Sequence, residues 1–153
     1  VHTFSTQQFI EERILPTVNE TLAENGRSRS AFEISLPPFV VTGQTEEAFE
    51  TCKQKVKYRI AFYASTPAYK TVLECHDWQD LQPKLNHLSK NKGWDKMPEL
   101  ISDEMLETFA LVGEPLQVAE KMKARYGSLV DRLTLENSLP SDVLARQMAI
   151  IRG

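Results

Sequence analysis

A chain of 153 residues with 41% hydrophobic and 25% charged residues has the make-up of one globular domain with a sizeable core, which excludes a disordered chain. A formal net charge of −3 excludes an electrostatic drive toward nucleic-acid phosphates or anionic lipid, so neither nucleic acid nor membrane is an expected partner. No apolar run reaches the ~20 residues of a membrane span, and without a signal peptide the expected location is the cytoplasm.

The chain opens Val1-His2-Thr3-Phe4 with no initiator methionine, as a piece of a longer protein would. Ser5 is placed to cap a helix with Gln8 reaching back, and Phe9, Ile10, Ile14, Val18 and Leu22 form its apolar stripe up to Asn25-Gly26. Pro16 interrupts that helix at a cost of roughly 3 kcal/mol and predicts a kink or two short helices. "FEISLPPFVVTG" alternates Phe32, Ile34 and Leu36, then runs apolar through Phe39-Val40-Val41, which predicts one strand covered on both faces. Thr45 caps a second helix whose stripe is Phe49, Cys52, Val56, Ile60 and Tyr63.

Residues 65–110 are too long for a simple connection and hold short helical pieces. Pro67 follows Thr66 at a first helical position; Leu81, Leu85 and Leu88 share a face; Met105, Leu106 and Phe109 mark another helix. After Gly113-Glu114-Pro115, Val118, Ala119, Met122 and Tyr126 mark a helix ending at Gly127, then a strand over 129–135 and a last helix from Ser141. Two covered strands joined through helices imply a parallel βαβ-type arrangement. Such a sheet leaves strand edges open and an apolar face with nothing to meet, so a larger barrel or sheet, or self-association, is expected.

Glycines at 26, 43, 93, 113 and 127 are too dispersed for a P-loop or a GxGxxG turn, and no His-Glu-x-x-His, Cys-x-x-Cys or Gly-x-Ser-x-Gly is present. Cys52 and Cys75 read as buried thiols rather than a disulfide. Cys75-His76-Asp77 reads as a helix end, since adjacent side chains diverge too far to share a metal, and no metal site is expected. Lys53, Lys55, Lys57 and Arg59 spread around a helix as a solvated face. Of the two strand-to-helix junctions, Gly43–Thr45 carries Glu46 and Glu47, which repel an anion. Thr3-Phe4-Ser5-Thr6 offers hydroxyls with no acid before Glu11 and His2 beside it; anion binding and plain capping by Ser5 both fit.

The segment "ILPTVNETLAENGRSR" and the Val-Gly-Glu-Pro-x-x-Val-Ala helix feeding "LVDRLTL", in their order and spacing, resemble the C-terminal part of luciferase-like oxidoreductases, especially the branch using the deazaflavin coenzyme F-420. The resemblance covers the chain to about residue 136. It implies an α/β fold that is the C-terminal portion of a (β/α)8 TIM barrel of roughly twice this length. The implied segments are 1–31 (strand end plus helix), 32–64 (strand plus helix), 65–110 (helical excursion), 111–136 (helix plus last strand) and a tail, 137–153.

By the same resemblance the chemistry is hydride transfer between the deazaflavin and a small organic substrate, with flavin mononucleotide and a monooxygenase as the alternative. His2 is implied as the polarising acid, Thr3, Ser5 and Thr6 as cofactor contacts, and Tyr63, Ser65, Thr66, Tyr69 and Lys70 as the substrate wall. Lys70 fits either a charge for an anionic substrate group or an exposed surface lysine. The excursion offers no acid or histidine in a clear catalytic setting. A homo-oligomer is expected, and the rival of another class is a non-catalytic, self-associating module.

Overall fold

Hydroxyls, glycines and prolines set the element boundaries in the computed structural model, which describes residues 1–135 and 139–153. The implied boundary between 136 and 137 lies outside the described residues. The first helix runs as α1 (Gln7–Phe9), a π turn (Ile10–Ile14) and α2 (Leu15–Glu24) without interruption. Its cap is Thr6, not Ser5: the Thr6 hydroxyl accepts from the Phe9 amide at 3.2 Å, while Gln8 turns to Glu12 at 2.9 Å. Pro16 does not divide the helix. The Leu15 amide bonds the Ile10 carbonyl five residues back, and this wide turn makes room for a ring that lacks an N–H and would strike the carbonyl of a regular turn. The helix ends where Gly26 takes φ 64° and the Arg27 amide returns to the Leu22 carbonyl at 2.8 Å.

The strand expected over 32–42 is two short strands, β1 (Ser35–Leu36) and β2 (Phe39–Val41). Pro37 and Pro38 have no N–H to give a ladder, so pairing stops there and resumes with another partner. β2 pairs in parallel with β3 (Ala110–Val112), Phe39 facing Ala110; β1 pairs in parallel with β4 (Arg132–Leu133), Ser35 facing Arg132. The strand β3 escaped the sequence reading because its three residues directly follow a helix. The strand expected over 129–135 narrows to β4. Val1–Phe4, implied as a strand end, is instead a turn closed by the Ser5 amide on the His2 carbonyl at 3.0 Å. Phe32 lies outside the alternation and is 37% exposed.

Alternation within the paired strands builds two cores. Phe39, Val41 and Ala110 face one way, toward Val56 and Ile60 of α3 (Glu46–Ala64), Leu85 of α5 (Leu81–Lys90) and Phe109 of α6 (Asp103–Phe109). Leu36, Val40 and Leu111 face the other, toward Ile10 and toward Val118, Met122 and Tyr126 of α7 (Pro115–Tyr126). Both strand faces are therefore covered by the chain's own helices, and the apolar face expected to have nothing to meet is met. Each strand pairs with a single neighbour among the described residues, so edges stay open.

Gly43 lets α3 start directly after β2: a Cβ there would lie 2.8 Å from the Phe49 Cα and closer still to its nitrogen. Thr45 caps α3 as expected, accepting from the Ala48 amide at 3.1 Å. The excursion holds a 3-10 turn (Pro67–Tyr69), a short α4 (Lys70–Glu74), α5 and α6, with Leu81, Leu85, Leu106 and Phe109 buried. Finally α8 (Ser141–Arg152) packs along α7, joined where the Gln147 side-chain Nε2 donates to the Pro115 carbonyl at 2.6 Å. Cys52 and Cys75 are free and half-buried. No described helix is long and apolar enough to cross a membrane.

Candidate functional site

Phe4 anchors the amino-terminal turn. It is fully buried and stacks on Phe109 with centroids 4.5 Å apart, which fixes the backbone on either side. The Phe4 amide donates to His2 Nδ1 at 3.1 Å, so in the neutral ring the proton sits on Nε2. Around that ring, Tyr63 in the last turn of α3 stands edge-on with centroids 4.7 Å apart, and Tyr69 of the Pro67–Tyr69 turn stacks at 5.0 Å. The proline starts that turn and so sets where Tyr69 projects. His2 is exposed as a residue, but packing against two tyrosines strips part of its ring hydration. Burial first, with the positive charge of Arg59 adding to it, pulls its pKa below the ordinary 6.5, favouring neutral imidazole.

His2 stands on a ridge between two clefts. One, of about 340 Å3, is lined by Val1, Thr3, Pro37, Pro38, Val40, Arg59, Thr134 and Leu135. The other, of about 300 Å3, lies between the first helix and α4, with Phe4, Ser5, Phe9, Ile14, Ala68, Tyr69, Thr71 and Val72 on its walls. Thus the structure brings His2, Thr3, Ser5, Tyr63 and Tyr69 to one place.

The other expected residues fall elsewhere. Thr6 is 1% exposed, and its oxygen already serves the Phe9 amide and His76 Nε2, at 2.8 Å. Ser65 is buried, its hydroxyl donating to the Phe62 carbonyl at 2.7 Å, and its own carbonyl accepts from Gln82 and Asn86. Thr66 starts the 3-10 turn through its carbonyl, which accepts from the Tyr69 amide. Lys70 is exposed beside Glu74, 3.9 Å away. None of Ser65, Thr66 and Lys70 lines either cleft.

Two groups were missed by sequence reasoning. Arg59 belongs to a run that reads as solvated, yet its guanidinium lies over the Phe39 ring at 5.0 Å and reaches the first cleft. His76, in an excursion expected to hold no placed histidine, stacks on Trp78 at 4.9 Å and faces a polar cleft of about 490 Å3 with Glu11, Glu104, Glu107 and Arg125. Burial lowers its pKa, while Glu12 and Asp77 push the other way. The signal was Cys75-His76-Asp77 at a helix end, where Asp77 takes φ 59° and redirects the chain. Among the described residues no three His, Cys, Asp or Glu side chains stand close enough to hold a metal ion.

A third region follows β2, a cleft of about 620 Å3 that includes Thr42, Gly43, Thr45, Glu47, Cys52 and Lys55. The Thr42 hydroxyl there is buried without a hydrogen-bond partner among the described residues. Glu46 and Glu47 in the first turn of α3 set negative charge against any anion at this helix start.

Comparison with known proteins places the sequence. The family described as luciferase-like monooxygenase matches residues 2–132. Uncharacterized proteins of Mycobacterium bovis and of two strains of Mycobacterium tuberculosis are 41% identical over 132 residues, which cover 86% of this chain and 39% of each relative. The chain therefore spans about two fifths of the length of the curated relatives it matches.

Proposed function

The chain belongs to the luciferase-like monooxygenase family, and from this we propose that it is the C-terminal part of a barrel oxidoreductase that transfers a hydride between the deazaflavin coenzyme F-420 and a small organic substrate. The observation that carries the reading is His2: an imidazole with one nitrogen occupied by the Phe4 amide and the other presenting an N–H, on a ridge between two clefts.

The walls of the larger cleft suit one edge of a flat ring system. Pro37, Pro38, Val40 and Leu135 offer apolar surface, Thr3 and Thr134 offer hydroxyls, and about 340 Å3 lies within the roughly 300–1,000 Å3 of small-molecule pockets. Thr3 is the contact of this chain we assign to the cofactor; the remaining contacts belong to the longer protein. When bound, the cofactor supplies the hydride-exchanging carbon. His2 Nε2–H donates to the substrate oxygen on which negative charge gathers as the hydride adds to the neighbouring carbon. Because the ring is neutral, it acts as a positioned donor rather than an imidazolium. Tyr63 and Tyr69 hold the imidazole from two sides and displace water from it.

The test is a fluorescence titration of the full-length protein with coenzyme F-420 and with flavin mononucleotide, followed by turnover of the His2→Gln variant. Binding of F-420 is expected. The variant should keep cofactor affinity and lose about 10²-fold in kcat. Binding of flavin mononucleotide alone would transfer the reading to a monooxygenase, and binding of neither would sink both.

A further inference from the structure

We infer that Arg59 determines specificity in the His2 cleft and that the substrate is a small organic anion, its carboxylate or phosphate on the guanidinium and its reducible group beside His2, with Pro37, Pro38 and Leu135 left to the cofactor ring. The inference rests on the oxidoreductase reading for the word substrate and on the cleft alone for the anion.

Charge is the first argument. Arg59 is the sole charged side chain lining this cleft among the described residues, and no carboxylate lines it. Of the other cations on the same helix, Lys55 does not line this cleft and two are paired. Lys53 and Lys57 are both neutralised by Asp103, at 3.2 and 2.8 Å, whereas Arg59 forms no ion pair with a described residue. Lys70, the cation expected from the sequence, stands away from the cleft beside Glu74.

Geometry is the second. The guanidinium carbon lies 5.0 Å from the centroid of Phe39, whose ring is 1% exposed and locked in the core. This cation–π contact holds the guanidinium at the cleft wall without using its N–H groups, none of which bonds a described residue, and so leaves them for an oxyanion. Arg59 is also felt electrically by His2, so the anchor and the polarising donor share one small space. A ligand with an anionic end and a reducible group a few bonds away would meet both.

Calorimetric titration of the full-length protein with benzoate, phenyl phosphate and neutral benzamide tests this. At least one anion should bind tenfold or more tighter than benzamide, and which one does separates carboxylate from phosphate. Arg59→Met should weaken the preferred anion by about tenfold to a hundredfold, the range of one charge-assisted hydrogen-bonded contact. Arg59→Lys should fall between, and Lys55→Met should match the wild type. Equal affinity for anion and benzamide overturns the inference with no variant needed, and so does undiminished anion binding by Arg59→Met. The cofactor titration separates the two readings. Anion selectivity without binding of either cofactor removes the oxidoreductase and leaves the anchor, while cofactor binding without anion selectivity removes the anchor alone.

Discussion

Asp131 shows how one side chain can fix the approach of two distant segments. One carboxylate oxygen accepts from the Ile34 amide and from Arg29, both at 2.7 Å, and so ties the start of β1 to the start of β4. The Ile34 amide first, then Arg29, hold its pKa below the ordinary 3.8. The folded state thus binds this proton less readily than the unfolded chain, and the stabilisation is complete above the ordinary carboxylate range and lost as pH falls through the lowered value. Asp131→Ala should cost about 1 kcal/mol, modest because the pair is solvent-exposed, and should flatten the acid limb of a urea midpoint measured against pH. Ser65, Thr66 and Thr6 were implied as substrate and cofactor contacts by the family resemblance; in the structure the hydroxyls of Ser65 and Thr6 are engaged at a helix end and a cap. Arg59 looked like one lysine-like charge among several until Phe39 was seen beneath it.

Elements follow their local signals closely, and proline or glycine accounts for several of the features that local periodicity does not show. Pro16 produces a π turn, Pro37-Pro38 divides one strand between two partners, and Gly43 allows the end of β2 to lie against the first turn of α3. Gly43→Ala should cost roughly 1–3 kcal/mol in a denaturant unfolding experiment, because the added methyl meets helix backbone, which cannot swing aside as a side chain would. Nearly every helix could be placed from the sequence: the Thr45 cap, the Leu81–Leu85–Leu88 face and the Val118–Met122–Tyr126 stripe are contacts within three to eight residues. The three-residue β3 was not legible, since so short an apolar run directly after a helix shows no period of its own.

The whole molecule is two cores on opposite faces of short parallel strands, linked across sequence by a few polar contacts. Thr6 and His76 form one of them, 70 residues apart, joining the first helix to the excursion. The Thr6 oxygen, which also accepts from the Phe9 amide, shares a hydrogen bond with His76 Nε2. Because burial lowers the His76 pKa, the fold favours the neutral ring, and the stability this contributes is complete above about pH 6.5, the ordinary value, and is lost as pH falls through the lowered one. His76→Ala should speed proteolysis within 65–80 at neutral pH and remove that part of the mild-acid sensitivity, as limited digestion at two pH values would reveal. The open strand edges keep self-association, or pairing with the rest of a longer chain, as a proposal; sedimentation of the full-length protein tests it.

The sequence by itself determined the helices and their stripes, the Thr45 cap, the parallel character of the strands and the family, because each rests on spacing along the chain or on the order of local motifs. Only the tertiary structure decided which strand meets which, that the chain's own helices cover both strand faces, and that His2 is gripped by Tyr63 and Tyr69 while Arg59 shares its cleft. Those are contacts between residues far apart in the chain. Their distances depend on how several packed elements close together, and no local periodicity encodes that.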